Sequence, residues 1–301
     1  MGSAHAGTPG RLGAYCPLPR QAGLLQRAAF DPVLKQYDNA YRAGKLELLD
    51  PAAGQRWLAA RRAALYHLIT IIADTPWRQQ LVMFGSFPMT AWFGAAAREP
   101  GDIDFVVTPF SLNIHSGEAE AMLTGIVREM RNRPGAGLAP ELAQASATWT
   151  YERINGQRLT IPFTTEDGLT GAMRIDFVFN EPLPLKPVTI RFSGVDHPVL
   201  SASPALSLAW KLRWLATDIH PQGKDLYDAT LLAEYTTVSL QLIRDLLQRQ
   251  LSTEADEFAA ESVLDWDIDW NTFTDDYPGI RGSARAWKHR LALALDRGFS
   301  D

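Results

Sequence analysis

Cysteine is almost absent: Cys16 is the only one in 301 residues. An intramolecular disulfide and a cysteine-rich zinc site are both excluded. A lone thiol fits a reducing compartment, so a cytoplasmic location is the expectation. No stretch approaches the roughly 20 consecutive apolar residues that would span a bilayer, and no membrane partner is expected. The first 20 residues lack the apolar segment of a signal peptide; their Gly, Ala and Pro content reads as a disordered leader. Positive charge is also short. There are 29 Lys and Arg against 34 Asp and Glu, a net charge of −5. A nucleic-acid partner would have to be held by local basic patches, not by the field of the whole chain. His115, His197, His220 and His289 show no ligand spacing. Internal repeats and coiled-coil heptads are missing too.

What is present is an ordinary globular composition, 46% hydrophobic and 21% charged, in a chain long enough for a sizeable core. The most informative stretch is LVMFGSFPMTAWFGAAAREPGDIDFVV, residues 81–107. Leu81-Val82-Met83-Phe84 has the length of a buried strand. Gly85-Ser86 breaks the run, and a small helix is expected from Phe87 to Phe93. A second apolar run opens with Asp102 and Asp104. At i and i+2 of a strand these carboxylates share a face, with Ile103 and Phe105 on the other. Two adjacent carboxylates repel unless a cation sits between them. Mg²⁺ is the hard, oxygen-seeking ion that suits such a pair, and it commonly arrives with substrate phosphates. Gly85 has no Cβ, so the local N–H groups and the Ser86 hydroxyl can come close to a phosphate. A D-x-D on its own is also an ordinary solvated strand end. The combination of strand-GS-helix with strand-DxD is the more specific signal.

The remaining pattern surrounds this centre. Residues 21–49 read as irregular helix, with Pro32 as a helix start. Asp50-Pro51 is an N-cap with proline at the first turn, opening a helix to Asp74. Leu58, Leu65, Leu68, Ile69 and Ile72 line one of its faces; Arg56, Arg61 and Arg62 read as a solvated face or a polyanion contact. Ser116 caps a helix through Arg131. Residues 147–192 are β-rich, with Asn155-Gly156 as a hairpin signal and Glu166-Asp167-Gly168 as a second loop. Asp176 lies inside the strand MRIDFVF, where an Asp needs a partner. Either a strand-face arginine such as Arg174 or Arg191 pairs with it, or the strand lies beside Asp102 and Asp104 and adds a third carboxylate. Three such carboxylates can hold the two ions of a two-metal phosphoryl- or nucleotidyl-transfer site. After Pro198 the chain reads as helical. Ser203 starts a helix with Lys211 among apolar neighbours; another carries Lys224, Asp225 and Asp228, the last best explained as a first-turn acid. Further helices are expected over 236–251, 254–263 and 283–297. The acidic, Trp-rich piece between the last two, with Asp267 and Asp269, reads as a packed loop.

The order GS, D-x-D, a lone strand Asp, a helical K-L and then K-D-x-x-D resembles the AbiEii/AbiGii-type toxin nucleotidyltransferases, MenT-like toxins of the DNA polymerase β-like superfamily. The matching segments are FGSFPMTAW at 84–92, DIDF at 102–105, AWKLRWLA at 209–216 and KDLYDATLL at 224–232. The resemblance covers about half the chain, and the later pair of motifs points to the toxin group. It implies an α+β or α/β fold: a mixed-sheet catalytic core at 81–197, N-terminal helices at 21–80 packing on it, and a C-terminal helical domain at 198–301 completing the site. It further implies that Gly85 and Ser86 hold the triphosphate and that Asp102, Asp104 and Asp176 bind Mg²⁺. Lys211 would contact the triphosphate, and Asp225 would belong to a fourth motif. The arginine that the group carries after its Ser is replaced here by Ala91, Trp92 or Phe93, with Arg98 as a substitute.

The chemistry so implied is transfer of a nucleoside monophosphate from an NTP to an acceptor hydroxyl, with Asp176 as base. In MenT-like members the acceptor is the 3′ end of tRNA, and a cognate antitoxin accompanies the toxin. Arginine clusters at 56–62, 128–133 and 281–290 would supply the RNA footprint. The same chemistry on a small molecule or a protein, a non-catalytic nucleotide-binding protein, and a purely structural Lys211–Asp225 ion pair are the alternatives.

Overall fold

The computed structural model describes residues 24–30, 41–150 and 154–300. β1 (Leu24–Phe30) and β2 (Tyr41–Leu48) pair antiparallel, Leu24 opposite Leu48 and Phe30 opposite Tyr41. This corrects the helical reading of 21–49: the alternation Lys45-Leu46-Glu47-Leu48 is a period-2 pattern, which suits a strand. Pro32, the leader at 1–20 and Cys16 lie outside the described residues.

α1 (Pro51–Asp74) has the expected bounds. The Asp50 carboxylate accepts from the Ala52 N–H at 2.9 Å, and Pro51 fills the first turn where no N–H is needed. Thr75 leaves the helix in an extended conformation because Pro76 follows. β3 (Leu81–Phe84), α2 (Phe87–Phe93), β4 (Ile103–Val107) and α3 (Gly117–Asn132, capped by Ser116) come next. β5 (Gln144–Thr150), β6 (Ile154–Thr164) and β7 (Thr170–Val178) form a meander. The first hairpin is there, but its connection is at 151–153, outside the described residues. Asn155 and Gly156 instead pair with Trp149 and Thr148 inside the ladder. The second loop is where Glu166-Asp167-Gly168 indicates, with Gly168 at φ +83°.

β8 (Val188–Ile190) and β9 (Val199–Ser201) complete a seven-stranded sheet in the order β5-β6-β7-β4-β3-β9-β8. β4 runs parallel to β7 and β3 to β9, while the other neighbours are antiparallel. The sheet is therefore mixed, as expected. β9 lies where the chain was read as already helical; a three-residue strand is too short to show a period.

The helices that follow are α4 (Pro204–Thr217), α5 (Gly223–Tyr235), α6 (Leu240–Leu251), α7 (Trp270–Asp276) and α8 (Ala284–Gly298). Between α5 and α6, β10 (Val238–Ser239) pairs with β11 (Phe299–Ser300). α7 replaces part of the expected loop, with Asp269 as its N-cap accepting from the Thr272 N–H at 3.1 Å. Residues 252–257 and 260–264 are short 3-10 turns in place of the helix expected at 254–263.

The sheet separates two apolar layers. Met83, Phe105 and Phe177 face α1 and α3, packing with Leu68, Ile72 and Ile126. Val82, Phe84, Val106 and Val178 face the C-terminal helices and join Trp210, Leu226 and Leu291. No helix among the described residues is long and apolar enough to cross a membrane.

Candidate active site

Strand register assembles the site. Phe84 on β3 lies opposite Asp104 on β4, Asp104 opposite Asp176 on β7, and Asp176 opposite Arg158 on β6. One row thus crosses four adjacent strands and places two carboxylates side by side. Asp102, two residues before Asp104, projects to the same face. Asp102, Asp104 and Asp176 each offer an oxygen, and these atoms lie within 4.8 Å of one another. Asp102 and Asp104 are half-buried and Asp176 is buried. All-oxygen donors in this compass fit a hard divalent cation.

The Gly85 turn is shaped by the same carboxylates. Gly85 has φ +78°, and a Cβ there would stand 2.3 Å from Asp104 Oδ2. Only glycine allows both the backbone conformation and the approach. Ser86 follows, buried, at the start of α2.

Charge is distributed unevenly over the triad. Burial pushes the Asp104 carboxyl up, and the neighbouring Asp102 and Asp176 add to the push, so it is held well above the usual carboxylate range. Burial acts upward on Asp102 as well, but Arg174, Lys224, Arg158 and Arg98 outweigh it and hold it below that range. The Arg158 guanidinium donates in a fork to Asp176, Nε to Oδ1 and Nη2 to Oδ2, both at 2.6 Å. The partner of Asp176 is thus neither Arg174 nor Arg191. Strand register makes this pairing: Arg158 and Asp176 both lie six residues outward from the Thr164–Thr170 pair.

A second polar cluster lies under the site, where α4 and α5 meet. Lys211 Nζ is 2.6 Å from Asp225 Oδ1 and 3.2 Å from Asp228 Oδ2. Arg98, from the α2–β4 connection, donates from Nη2 to Asp228 Oδ2 at 2.8 Å. All four side chains are buried. Burial pushes the Lys211 ammonium down, but Asp225 and Asp228 outweigh it and hold it above its ordinary value. Two cations and two anions satisfy one another here, as burial of charge requires. Asp228 is therefore a buried ion-pair partner, not a plain first-turn acid. Lys224, one residue before Asp225, contributes to holding Asp102 low.

Sequence reading also missed Arg61. Its Nη2 donates to the carbonyls of Pro100 and Gly101, both at 2.7 Å, pinning the turn directly before Asp102. Arg56 pairs with Asp167 at 2.7 Å and Arg62 with Glu99 at 2.8 Å. These three arginines tie α1 to neighbouring loops; Arg56 and Arg62 do so from the solvated face the charge pattern suggested, while Arg61 is turned inward. Nothing in a local charge pattern distinguishes those outcomes.

With this geometry in place, the comparisons are informative. Residues 67–294 match the family of nucleotidyl transferase AbiEii toxins of type IV toxin–antitoxin systems. The chain belongs to that family. The match contains the triad, the Gly85-Ser86 turn, Arg158 and the buried α4–α5 cluster; Arg56, Arg61 and Arg62 precede it. Among solved structures the chain is similar to MenT4, a nucleotidyltransferase toxin of Mycobacterium tuberculosis H37Rv. The identity is 19% and the TM-score 0.48, over 77% of this chain and 80% of that one. Comparison with curated proteins gives no match. As an AbiEii family member, the chain is a nucleotidyltransferase of a type IV toxin–antitoxin system, which implies an NTP as substrate and an antitoxin as partner.

Proposed function

We propose that the chain transfers a nucleoside monophosphate from an NTP to the 3′ end of tRNA, in a Mg²⁺-dependent reaction in the cytoplasm. The observation that carries this reading is the convergence of Asp102, Asp104 and Asp176 beside the Gly85-Ser86 turn, in a chain of the AbiEii family. In this reading the core at 81–197 and the helical part at 198–301 both furnish the site.

Asp102, Asp104 and Asp176 are the residues that would hold the metal. An ion bound there would lower the pKa of the acceptor hydroxyl and offset charge on the phosphates. The Gly85-Ser86 turn receives the triphosphate, and Lys211, oriented by Asp225, supplies positive charge on that side. The acceptor oxygen attacks the α-phosphorus in line. The new P–O bond forms as the bond to the α–β bridging oxygen breaks and pyrophosphate leaves. Asp176, at the other end of the triad from Gly85, receives the hydroxyl proton. Arg174 and Lys224, both half-buried, carry positive charge beside Asp102 and are the cations this reading offers to an RNA backbone. Several members of the arginine clusters, Arg56, Arg62, Arg133 and Arg290, are already paired with acids.

The test is transfer from each of the four α-³²P-labelled NTPs onto total tRNA with Mg²⁺, alongside the Asp104→Ala protein. Label at tRNA 3′ ends that disappears in the folded variant is the expected result and names the base. Transfer retained by folded Asp104→Ala overturns the site. Label that goes only to a small molecule or a protein overturns the tRNA acceptor.

A further inference from the structure

The Arg158–Asp176 pair bears on how the triad takes its ion. Resting on the metal reading above, we propose that Arg158 is a resident counter-cation: it holds the third carboxylate in the free enzyme and keeps the triad from binding a divalent ion until nucleotide is present. Three observations carry this. First, the fork occupies both oxygens of Asp176 at 2.6 Å, so ligation of an ion by this residue competes with two charge-assisted hydrogen bonds. Second, the pair is poorly solvated, with side-chain exposures of 14% and 9%, so the guanidinium is not readily replaced by water. Third, Arg158 reaches Asp176 from the directly opposing position of β6, a rigid placement rather than a loose surface contact.

A guanidinium in that position has two effects on an incoming ion. It removes one of the three ligands, and it repels a second positive charge across a few ångströms of partly buried space. Asp102 and Asp104 alone then form a weaker site. A nucleotide reverses the balance, because its phosphates add negative charge and further oxygen ligands. Binding of ion and nucleotide is thereby made mutually favourable, and linkage requires the effect to be reciprocal. Asp176, released from the fork, becomes available as ligand and base.

The experiment uses Mn²⁺ as probe, titrated into metal-stripped protein without nucleotide and followed by the EPR signal of free Mn²⁺. Arg158→Gln keeps much of the side chain and loses the charge. It is expected to bind Mn²⁺ about tenfold more tightly than the parent, the scale on which outer-shell partners move metal affinity. Adding a non-hydrolysable α,β-methylene NTP is expected to tighten Mn²⁺ binding in the parent far more than in the variant. Asp176→Asn in the Arg158→Gln background is expected to erase the gain. A folded Arg158→Gln protein that binds Mn²⁺ no better than the parent, with binding lost in Asp104→Ala, overturns the counter-cation and leaves the metal site standing. No Mn²⁺ bound by any of them, with or without nucleotide, overturns the metal reading itself. If Arg158→Gln does not fold, Arg158→Lys carries the test. Its point charge cannot fork onto both oxygens, so intermediate affinity is expected, and parent-like affinity overturns the proposal.

Discussion

At the scale of single residues, the tightest constraint in the site is on a group with no side chain. Gly85 is fixed twice, by φ +78° and by a would-be Cβ 2.3 Å from Asp104 Oδ2. Alanine there costs about 1–2 kcal/mol for the left-handed backbone alone. The clash adds to that by moving either the turn or the Asp104 carboxylate. Since that carboxylate is at the centre of the triad, activity is expected to suffer more than stability. Gly85→Ala should lower kcat by roughly 100-fold or more, in line with the cost of an ångström-scale misplacement in a positioned site. Its urea midpoint should fall only modestly. A variant with near-parent kcat would show that Asp104 does not need its present position. The same scale exposes what a sequence cannot reveal. Gly85 and the two D-x-D carboxylates are legible because strand periodicity and turn chemistry act within a few residues. Arg61 is not, because its carbonyl partners, at Pro100 and Gly101, are about 40 positions away and carry no side-chain signature.

At the scale of elements, the α4–α5 contact is where a functional and a structural reading meet in one pair of side chains. Burial pushes the Asp225 carboxyl up, but Lys211, Lys224 and Arg98 outweigh it and hold it below the ordinary carboxylate range. A depressed carboxylate contributes stability above its unfolded pKa of about 3.9, and that stability is lost as pH falls through the folded value. Lys211 has the opposite sign. Held above its ordinary value, it contributes below about pH 10.4 and loses the contribution as pH rises beyond that. Asp225→Asn is therefore expected to destabilise the chain by about 3 kcal/mol at neutral pH, the lower end of the cost of breaking a buried pair, since Asp228 still faces Lys211. The gap to the parent should narrow below about pH 4, where the parent loses the same contribution. Urea midpoints measured against pH check both parts. A constant gap across the acid range would show that Asp225 is not the group responsible. Full transfer activity in a folded Lys211→Met/Asp225→Asn double variant would assign this pair to structure alone.

Elements also show where patterns succeed. α1, α3, α4 and α8 were legible because each has a side-chain N-cap (Asp50, Ser116, Ser203 and Ser283) followed by a long amphipathic or apolar run. β1 and β2 were misread, and β9 and α7 were missed, because runs of three to eight residues sample too little of either period. The hairpin between β5 and β6 was anticipated while its turn was misplaced, since Asn-Gly marks a tight turn only where the ladder has not already captured it. The partners of Asp176 and Asp228 were missed for a related reason. Pairing across strands and helices depends on register and packing, which one segment does not encode.

At the scale of the whole molecule, the sheet works as a partition with both faces covered, and the site occupies the side closed by the C-terminal helices. Val82, Phe84, Val106 and Val178 bury against those helices, and Phe84 meets Trp210 edge-on with ring centroids 5.6 Å apart. Polar ties run across the same boundary: Arg98 to Asp228, and the Tyr227 hydroxyl to the Ala96 carbonyl at 2.7 Å. Each large apolar side chain so buried is worth about 1.5–3 kcal/mol. Losing four together rivals the net stability of about 5–15 kcal/mol that a folded protein possesses. A chain ending at Ala202 keeps all three triad carboxylates, yet it would expose that face of the sheet and leave Arg98 without its partner. It is expected to aggregate, or to remain as a loosely packed species that binds a hydrophobic dye. In the intact chain, tryptophans on the α1 and α3 side, such as Trp57 and Trp77, and those on the other side, such as Trp210, Trp214, Trp270 and Trp287, should report one urea transition coincident with that seen by circular dichroism. A shortened chain that stays monomeric and unfolds cooperatively would show that the sheet is self-sufficient. The C-terminal helices would then serve the site without supporting the fold, and Lys211 and Asp225 could be altered at much smaller structural cost than the buried network predicts.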